Sequence, residues 1–225
     1  MKVESNRHNP PRAGVEVPLN CAPFRLCGPG ELPPRTRSMS APEGVGDRLR
    51  AVAFAELQAR EAFDWAARTF REASHDLRGA WLALARAEDK HLGWLLSRMA
   101  ELGVQADERP VSLDLWRTLT ACTSAREFAV FMAAAEERGR VAGERFREGI
   151  RAVDPVTAEL FGKIAEEEIS HIELAKRHFD FDPSLRAEQQ VGRQRPLKDG
   201  HGAPMNRESG QQEQHDYRST NRIPS

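Results

Sequence analysis

The chain lacks several features on which common protein classes depend. It has three cysteines in 225 residues, Cys21, Cys27 and Cys122, and this odd set indicates neither a disulfide framework nor a paired-cysteine zinc site. It has no apolar run near the roughly 20 residues that span a bilayer. Its first residues lack the apolar region of a secretory signal. These absences predict a cytoplasmic protein with free thiols and no association with a membrane.

The chain also has no excess of either charge, because 33 basic residues balance 34 acidic ones and leave a net charge of -1. Such a balance gives no sign of a nucleic-acid surface as partner. What the chain has in abundance is alanine, leucine, glutamate and arginine, concentrated in its central part. We predict a Pro-rich irregular arm at 1–43, a helical domain at 44–183 and a disordered polar tail at 184–225.

Apolar residues recur at helical spacing throughout the central segment, and no stretch of it has the pattern of a strand. Long helices are predicted at 46–73, 77–102, 124–153 and 155–179, with a short helix at 113–120. Cap residues support several of these boundaries: Asp76, Gly103, the Ser124-x-x-Glu127 box and Asp154 before Pro155.

The lengths of the connections predict how these helices are arranged. Short links join the first helix to the second and the third to the fourth, so each pair should be antiparallel. The link of about 20 residues between the second and third helices is long enough to travel the length of the bundle. We therefore predict an all-α, ferritin-like antiparallel four-helix bundle with one long crossover.

The most informative pattern in the chain is a doubled Glu-x-x-His word. The two copies stand 80 positions apart, and each follows a further glutamate by 32 positions. The six residues are Glu56, Glu88, His91, Glu136, Glu168 and His171. The i, i+3 spacing places the glutamate and the histidine of each word on one helix face, and both words lie within apolar stripes.

Charge inside an apolar stripe needs a physical explanation. Removing a carboxylate from water costs several kcal/mol unless a partner compensates, and four carboxylates that face each other cannot all stay ionised. Two divalent cations would supply the four positive charges. Because oxygen and imidazole ligands suit iron or manganese, we predict that the six residues bind two iron ions, with manganese as the alternative.

Three alternatives bear on this set. A third word, Glu72-x-x-His75, is interpreted as chance, because Glu72 lies on the opposite face of its helix from Glu56. Glu137 is an alternative to Glu136, which we favour because its helix face is more apolar. The simplest alternative is an ordinary bundle with four solvated charged faces.

In the order of these six residues, the chain resembles the ferritin-like diiron-carboxylate superfamily over residues 44–180. More narrowly, it is similar to a bacterial ferritin-like family known as a domain of unknown function, which is itself similar in ligand order to tRNA hydroxylases and quinone-ring hydroxylases. The words that carry this likeness are Ala55-Glu56-Leu57-Gln58-Ala59, Asp114-Leu115-Trp116, Glu136-Glu137-Arg138-Gly139 and Glu168-Ile169-Ser170-His171.

The resemblance implies a diiron oxidoreductase that activates dioxygen and hydroxylates a small molecule or a modified base. It also implies a separate electron donor, because the chain has no Cys-x-x-Cys pairs for a rubredoxin-type domain, and it allows a homodimer. The single tyrosine, Tyr217 in the tail, argues against a ribonucleotide-reductase small subunit. Two other functions stay open: iron handling or ferroxidase activity without an organic substrate, and a non-enzymatic helical interaction module.

Overall fold

The computed structural model describes residues 19–39, 41–181 and 183. These residues form an all-α structure without strands, apart from an isolated bridge between Leu26 and Val111. The helices are α1 (Pro42–Thr69), α2 (His75–Glu101), α3 (Asp114–Thr120), α4 (Ala125–Ile150) and α5 (Pro155–Phe179). The predicted tail at 184–225, Tyr217 and residues 1–18 of the predicted arm lie outside the described residues.

Two helical hairpins make up the bundle. Helix α1 packs mainly on α2 and α4 mainly on α5, and the short links at 70–74 and 151–154 make each pair antiparallel. Direct contacts between the hairpins are few, both between α2 and α5 and between α1 and α4. The connection from α2 to α4 contains α3, which packs on both α1 and α4. None of the described helices has the length and hydropathy that a membrane span requires.

Some helix boundaries differ from the prediction. Helix α1 ends at 69 rather than 73, and Glu72 beyond it accepts a hydrogen bond from the backbone N of Ala125 at 3.0 Å. A long-range contact at the start of α4 thus uses a residue that local propensity places in a helix. Helix α4 ends at 150 rather than 153. The cap of α2 is Ser74, whose Oγ accepts from Leu77 N at 3.2 Å, and the predicted cap Asp76 lies in the first turn.

Other boundaries are the predicted ones. Ser124 caps α4 by accepting from the backbone N of Glu127 at 3.2 Å, and Asp154 caps α5 by accepting from Thr157 N at 3.0 Å. Gly103 follows the end of α2 with a φ of 68°, in the left-handed region that favours glycine. These caps fix where the helices that carry the site begin and end.

The apolar interior consists of two clusters at different levels of the bundle. The first is rich in aromatic residues and includes Trp81 and Phe128, whose ring centroids are 5.3 Å apart. The second includes Leu49, Leu95 and Phe161. Each long helix passes from one cluster to the other, and the predicted ligands occupy the helix turns between them. The fold therefore places a polar layer between two apolar ones.

Residues 19–39 of the arm pack against the bundle. The ring of Phe24 lies 5.1 Å from that of Phe54 on α1. Asp47 on α1 is almost fully buried and pairs with three arginines: Arg37 of the arm at 2.6 Å, Arg50 of α1 at 3.1 Å, and Arg109 of the α2–α3 connection. Asp47 thus joins the arm, α1 and this connection.

Candidate metal centre

Three helices bring four potential ligand atoms together. One atom each from Glu56 of α1, Glu88 and His91 of α2, and Glu168 of α5 lie within 4.8 Å of one another. The exposed fractions of these residues are 6 %, 0 %, 0 % and 3 %, so water reaches the group poorly. A buried cluster of this composition can hold a metal ion.

The two histidines lie on either side of Glu88 and Glu168. His91 Nδ1 is 3.4 Å from Glu88 Oε2 and 3.3 Å from Glu168 Oε1. His171 Nδ1 is 2.7 Å from Glu88 Oε1 and 3.2 Å from Glu168 Oε2. Each of these carboxylates therefore presents one oxygen to each histidine. Glu56 Oε2 lies on the His91 side, 3.9 Å from its Nδ1.

Glu136 of helix α4 lies outside this group of four, and so does His171 of α5. Glu136 is half-buried, and burial together with the charges of Glu168 and Glu88 raises its pKa well above the usual value. Glu137 is engaged elsewhere, because its two carboxylate oxygens accept hydrogen bonds from Arg140 at 2.8 and 3.0 Å. Of the two α4 candidates, Glu136 is the one whose charge interacts with the cluster.

Most of the buried donor and acceptor atoms in this layer have no hydrogen-bond partner. The seven atoms are both carboxylate oxygens of Glu88 and of Glu168, Nδ1 of His91 and of His171, and Oε1 of Glu136. Elsewhere among the described residues, the only such side-chain atom is Nε of Arg78. Buried polar groups are nearly always paired, and all seven atoms are metal donors. The residues therefore fit a metal site, because cations would satisfy atoms that the protein leaves unpaired.

The carboxylates of this layer differ in proton affinity. Burial and the charge of Glu88 raise the pKa of Glu56 well above its usual value. Burial would raise the pKa of Glu88 and Glu168 as well, but interactions with His171 and His91 outweigh it and lower the pKa of both. The two carboxylates between the histidines are thus the ones held in the ionised form.

The histidines show the complementary change. Burial would lower their pKa, but the surrounding carboxylates, Glu168 first, outweigh it and raise the pKa of His91 to about 12 and that of His171 to about 9. A raised pKa means that each imidazole holds its second proton more tightly than a free histidine does. Metal ions that bind here must displace these protons.

Sequence reasoning missed one residue of the site, Glu167. Its Oε2 lies 2.9 Å from His91 Nε2 and 2.5 Å from Lys90 Nζ, so it fixes the His91 ring with Nδ1 turned toward the cluster. No described residue makes a hydrogen bond to Nε2 of His171. In the 80-residue repeat, Ala87 occupies the place of Glu167. The sequence carries no signal for Glu167, because its role depends on how α2 and α5 pack together.

The third Glu-x-x-His word does not contribute to the cluster. Glu72 caps the N-terminus of α4 through Ala125, as described above, and the side chain of His75 is 95 % exposed. The structure agrees with the interpretation of this word as chance.

A cavity of about 250 Å³ adjoins the cluster on the side where α1 and α4 make few contacts. Three of the predicted ligands, Glu56, Glu136 and Glu168, form part of its wall. Apart from these, its lining is alanine, glycine, aliphatic and aromatic residues together with Arg48 and Arg140. The candidate centre thus borders a mainly apolar space.

Residues 2–198 match the model of a family described as "Protein of unknown function (DUF455)". The chain belongs to this family. The matched residues include all six predicted ligands and all five helices. No curated protein and no solved structure matches the chain.

In this DUF455 member, the buried cluster of Glu56, Glu88, His91 and Glu168 could hold a metal ion. Glu88 and Glu168 each present one oxygen to His91 and the other to His171. The assignment of the six residues as ligands stays a prediction, which rests on this geometry and on the unpaired donor atoms.

Proposed function

We propose that this chain is a ferritin-like diiron oxidoreductase, which activates dioxygen to oxidise an organic substrate. The observation that carries the proposal is the symmetric placement of Glu88 and Glu168 between His91 and His171, within a layer of unpaired buried donors. The arrangement of four long helices in two hairpins, joined by one long connection, supports a ferritin-like bundle.

Each ion would have its own terminal ligands and two shared ones. Glu56 and His91 belong to one side of the site, and His171 belongs to the other, to which we assign Glu136. Glu88 and Glu168 face both sides. Carboxylate and imidazole donors with no thiolate favour iron or manganese over a closed structural zinc site.

When bound, an iron pair supplies the redox chemistry by which dioxygen is used, and electrons would come from a separate donor. The protein's own residues hold and orient this centre. Glu167 fixes the ring of His91, and the two apolar clusters keep bulk water from the layer. A low-polarity surrounding strengthens every charge interaction inside the layer.

The cavity favours oxidation of a substrate over iron handling. A centre that only stores or oxidises iron has no need of an apolar space beside its ligands. Here the space of about 250 Å³ reaches Glu56, Glu136 and Glu168 directly. Most organic ligand sites are concave and mainly apolar, with a few polar groups placed in them.

Metal analysis of variants tests the ligand set. The unaltered chain should bind two iron ions, whereas a double variant with Glu168→Ala and His171→Ala should lose both, because it removes a shared carboxylate. The matched control is a double variant with Glu166→Ala and His75→Ala, two residues that are exposed and should leave iron binding unchanged. Retention of two ions by the first variant would show that the ligands are assigned wrongly.

Oxygen consumption tests the chemistry separately. Protein loaded anaerobically with two ferrous ions should consume dioxygen rapidly when air is admitted. Two bound ions without oxygen uptake would refute the proposed activity but leave the metal site. A large hollow oligomer that accumulates many iron ions would instead support iron storage, and gel filtration with iron analysis distinguishes that outcome.

A further inference from the structure

The cavity beside the centre is lined in part by Arg48, which has no acidic partner among the described residues. Arg48 uses Nη1 to donate to the backbone carbonyls of Arg37 at 2.8 Å and Gly44 at 2.9 Å. Its guanidinium lies 5.6 Å from the centre of the Phe146 ring. No carboxylate of the described residues lies within ion-pair distance of Arg48, and no described residue hydrogen-bonds its Nε or Nη2.

The other arginine of the cavity differs in this respect. Arg140 donates to Glu137 at 2.8 and 3.0 Å and to Glu144 at 2.8 Å, so two carboxylates neutralise its charge. Among the described residues, Arg48 is therefore the cation of the cavity wall whose charge no carboxylate offsets. Its Nε–Nη2 edge, to which no described residue is hydrogen-bonded, has two parallel donors, and a carboxylate matches this arrangement with its two oxygens.

Small side chains give the cavity its apolar volume. Ala51 and Ala55 of α1 face Ala135 and Gly139 of α4 across it. A Cβ atom added to Gly139 would meet no other atom within 4 Å, so helix packing does not require this glycine. A cavity of about 150 Å³ binds benzene, so by proportion the cavity of about 250 Å³ would take an apolar body of about ten carbons.

The position of Arg48 relative to the centre sets the orientation of such a ligand. Arg48, Val52 and Glu56 follow one another at intervals of four residues along α1, and all three border the cavity. Eight residues of helix rise by about 12 Å. A ligand whose charged end contacts Arg48 would therefore extend along α1 and place its far end beside Glu56.

We propose that the substrate of this centre is a carboxylic acid with an apolar body of about ten carbons. Its carboxylate binds Arg48, its body contacts the alanines of α1 and α4, and its far end lies beside Glu56, Glu136 and Glu168. The proposal rests on the proposed function, because it names the substrate class of the same centre.

Binding to the full-length, zinc-loaded chain tests the proposal without turnover. The probes are decanoate, decanol and decylammonium, which share one apolar chain and differ in the charge of the end group, and calorimetry measures their affinity. Decanoate should bind at least tenfold more tightly than decanol, and decylammonium should bind most weakly. Arg48→Gln should reduce the affinity for decanoate to that for decanol. The exposed Arg126 provides a matched control, and Arg126→Gln should leave the preference intact.

A second variant tests the apolar part of the cavity independently. Gly139→Leu should weaken the binding of decanoate and of decanol by the same factor, because the leucine fills the cavity without removing the charge of Arg48. Elemental analysis should find two zinc ions in every variant. If Arg48→Gln fails to fold, two results still test the proposal. They are the preference of the unaltered chain for decanoate over decanol and decylammonium, and the affinities measured for Gly139→Leu.

Two results would overturn the substrate class. The first is equal affinity for the three probes. The second is no binding of any probe while two zinc ions remain bound. Neither result argues against the metal centre. Failure of the unaltered chain to bind metal refutes the proposed function, and the substrate proposal with it.

Discussion

Glu167 provides the sharpest prediction, because it acts on one side of the centre. Its carboxylate contacts His91 Nε2 at 2.9 Å, whereas Nε2 of His171 has no hydrogen-bond partner among the described residues. Glu167→Gln keeps the shape of the side chain but removes the negative charge beside the imidazole. We therefore expect one of the two metal ions to bind more weakly and the other to be unaffected.

The size of the effect follows from the role of such a contact. Loss of a carboxylate that orients a metal-bound histidine typically reduces metal affinity by about 10- to 100-fold. That range corresponds to about 1.4 to 2.8 kcal/mol. Because Glu167 is about one-third exposed, we expect a result toward the lower end of the range.

Competition between the protein and a chromophoric chelator for zinc measures the two stepwise binding constants. In Glu167→Gln one constant should fall and the other should stay within twofold of its original value. Glu166→Gln is the matched control, since Glu166 is the neighbouring exposed glutamate on α5. Lys90→Gln should have a smaller effect, because it leaves the contact between Glu167 and His91. An equal fall in both constants, or no fall in either, would refute the reasoning.

Three further predictions concern stability. Gly139→Ala should raise the free energy of unfolding by about 0.8–1.0 kcal/mol, because the new methyl group meets no other atom and alanine is the better helix former; thermal unfolding measures this, and destabilisation would contradict it. When the free metal concentration is a hundred times Kd, removal of the metal by a chelator should lower the free energy of unfolding by about 2.7 kcal/mol per site. A lower Tm, which added zinc restores, measures this loss. Asp47 should make the fold acid-sensitive. Burial would raise the pKa of Asp47, but Arg37 and Arg109 hold it well below the usual range. The stabilisation by Asp47 is therefore present above its pKa in the unfolded chain, about 3.9, and is lost as the pH falls through its pKa in the folded chain. Denaturant titrations between pH 7 and 3 should show a flatter profile for Asp47→Asn, and an unchanged slope would contradict this.

Sequence periodicity predicted the helices well, because the apolar stripes of this chain are long and regular. The boundaries that were predicted wrongly involve choices between nearly equivalent residues. Ser74 and Asp76 are both good caps, and only the folded chain shows that Ser74 accepts the hydrogen bond from Leu77. Likewise, Glu72 leaves the helical pattern because it caps a helix 53 residues further along the chain.

The six candidate ligands could be proposed from the sequence because the same pattern of three residues occurs twice. A single Glu-x-x-His word carries little information, as the word at Glu72 demonstrates. Glu167 could not be found in the same way, since a glutamate beside a ligand resembles any charged surface residue. Its role depends on how α2 and α5 pack together, which no local pattern contains. The cavity was not predicted for the same reason.

The offset of 80 residues between the two Glu-x-x-His words has a consequence for the origin of this architecture. Each helical hairpin carries one half of the predicted ligand set, with three donors in the same order. Two identical hairpins related by a twofold axis would therefore have sufficed to enclose a cation pair, and duplication followed by fusion through the α2–α4 connection would yield a single polypeptide.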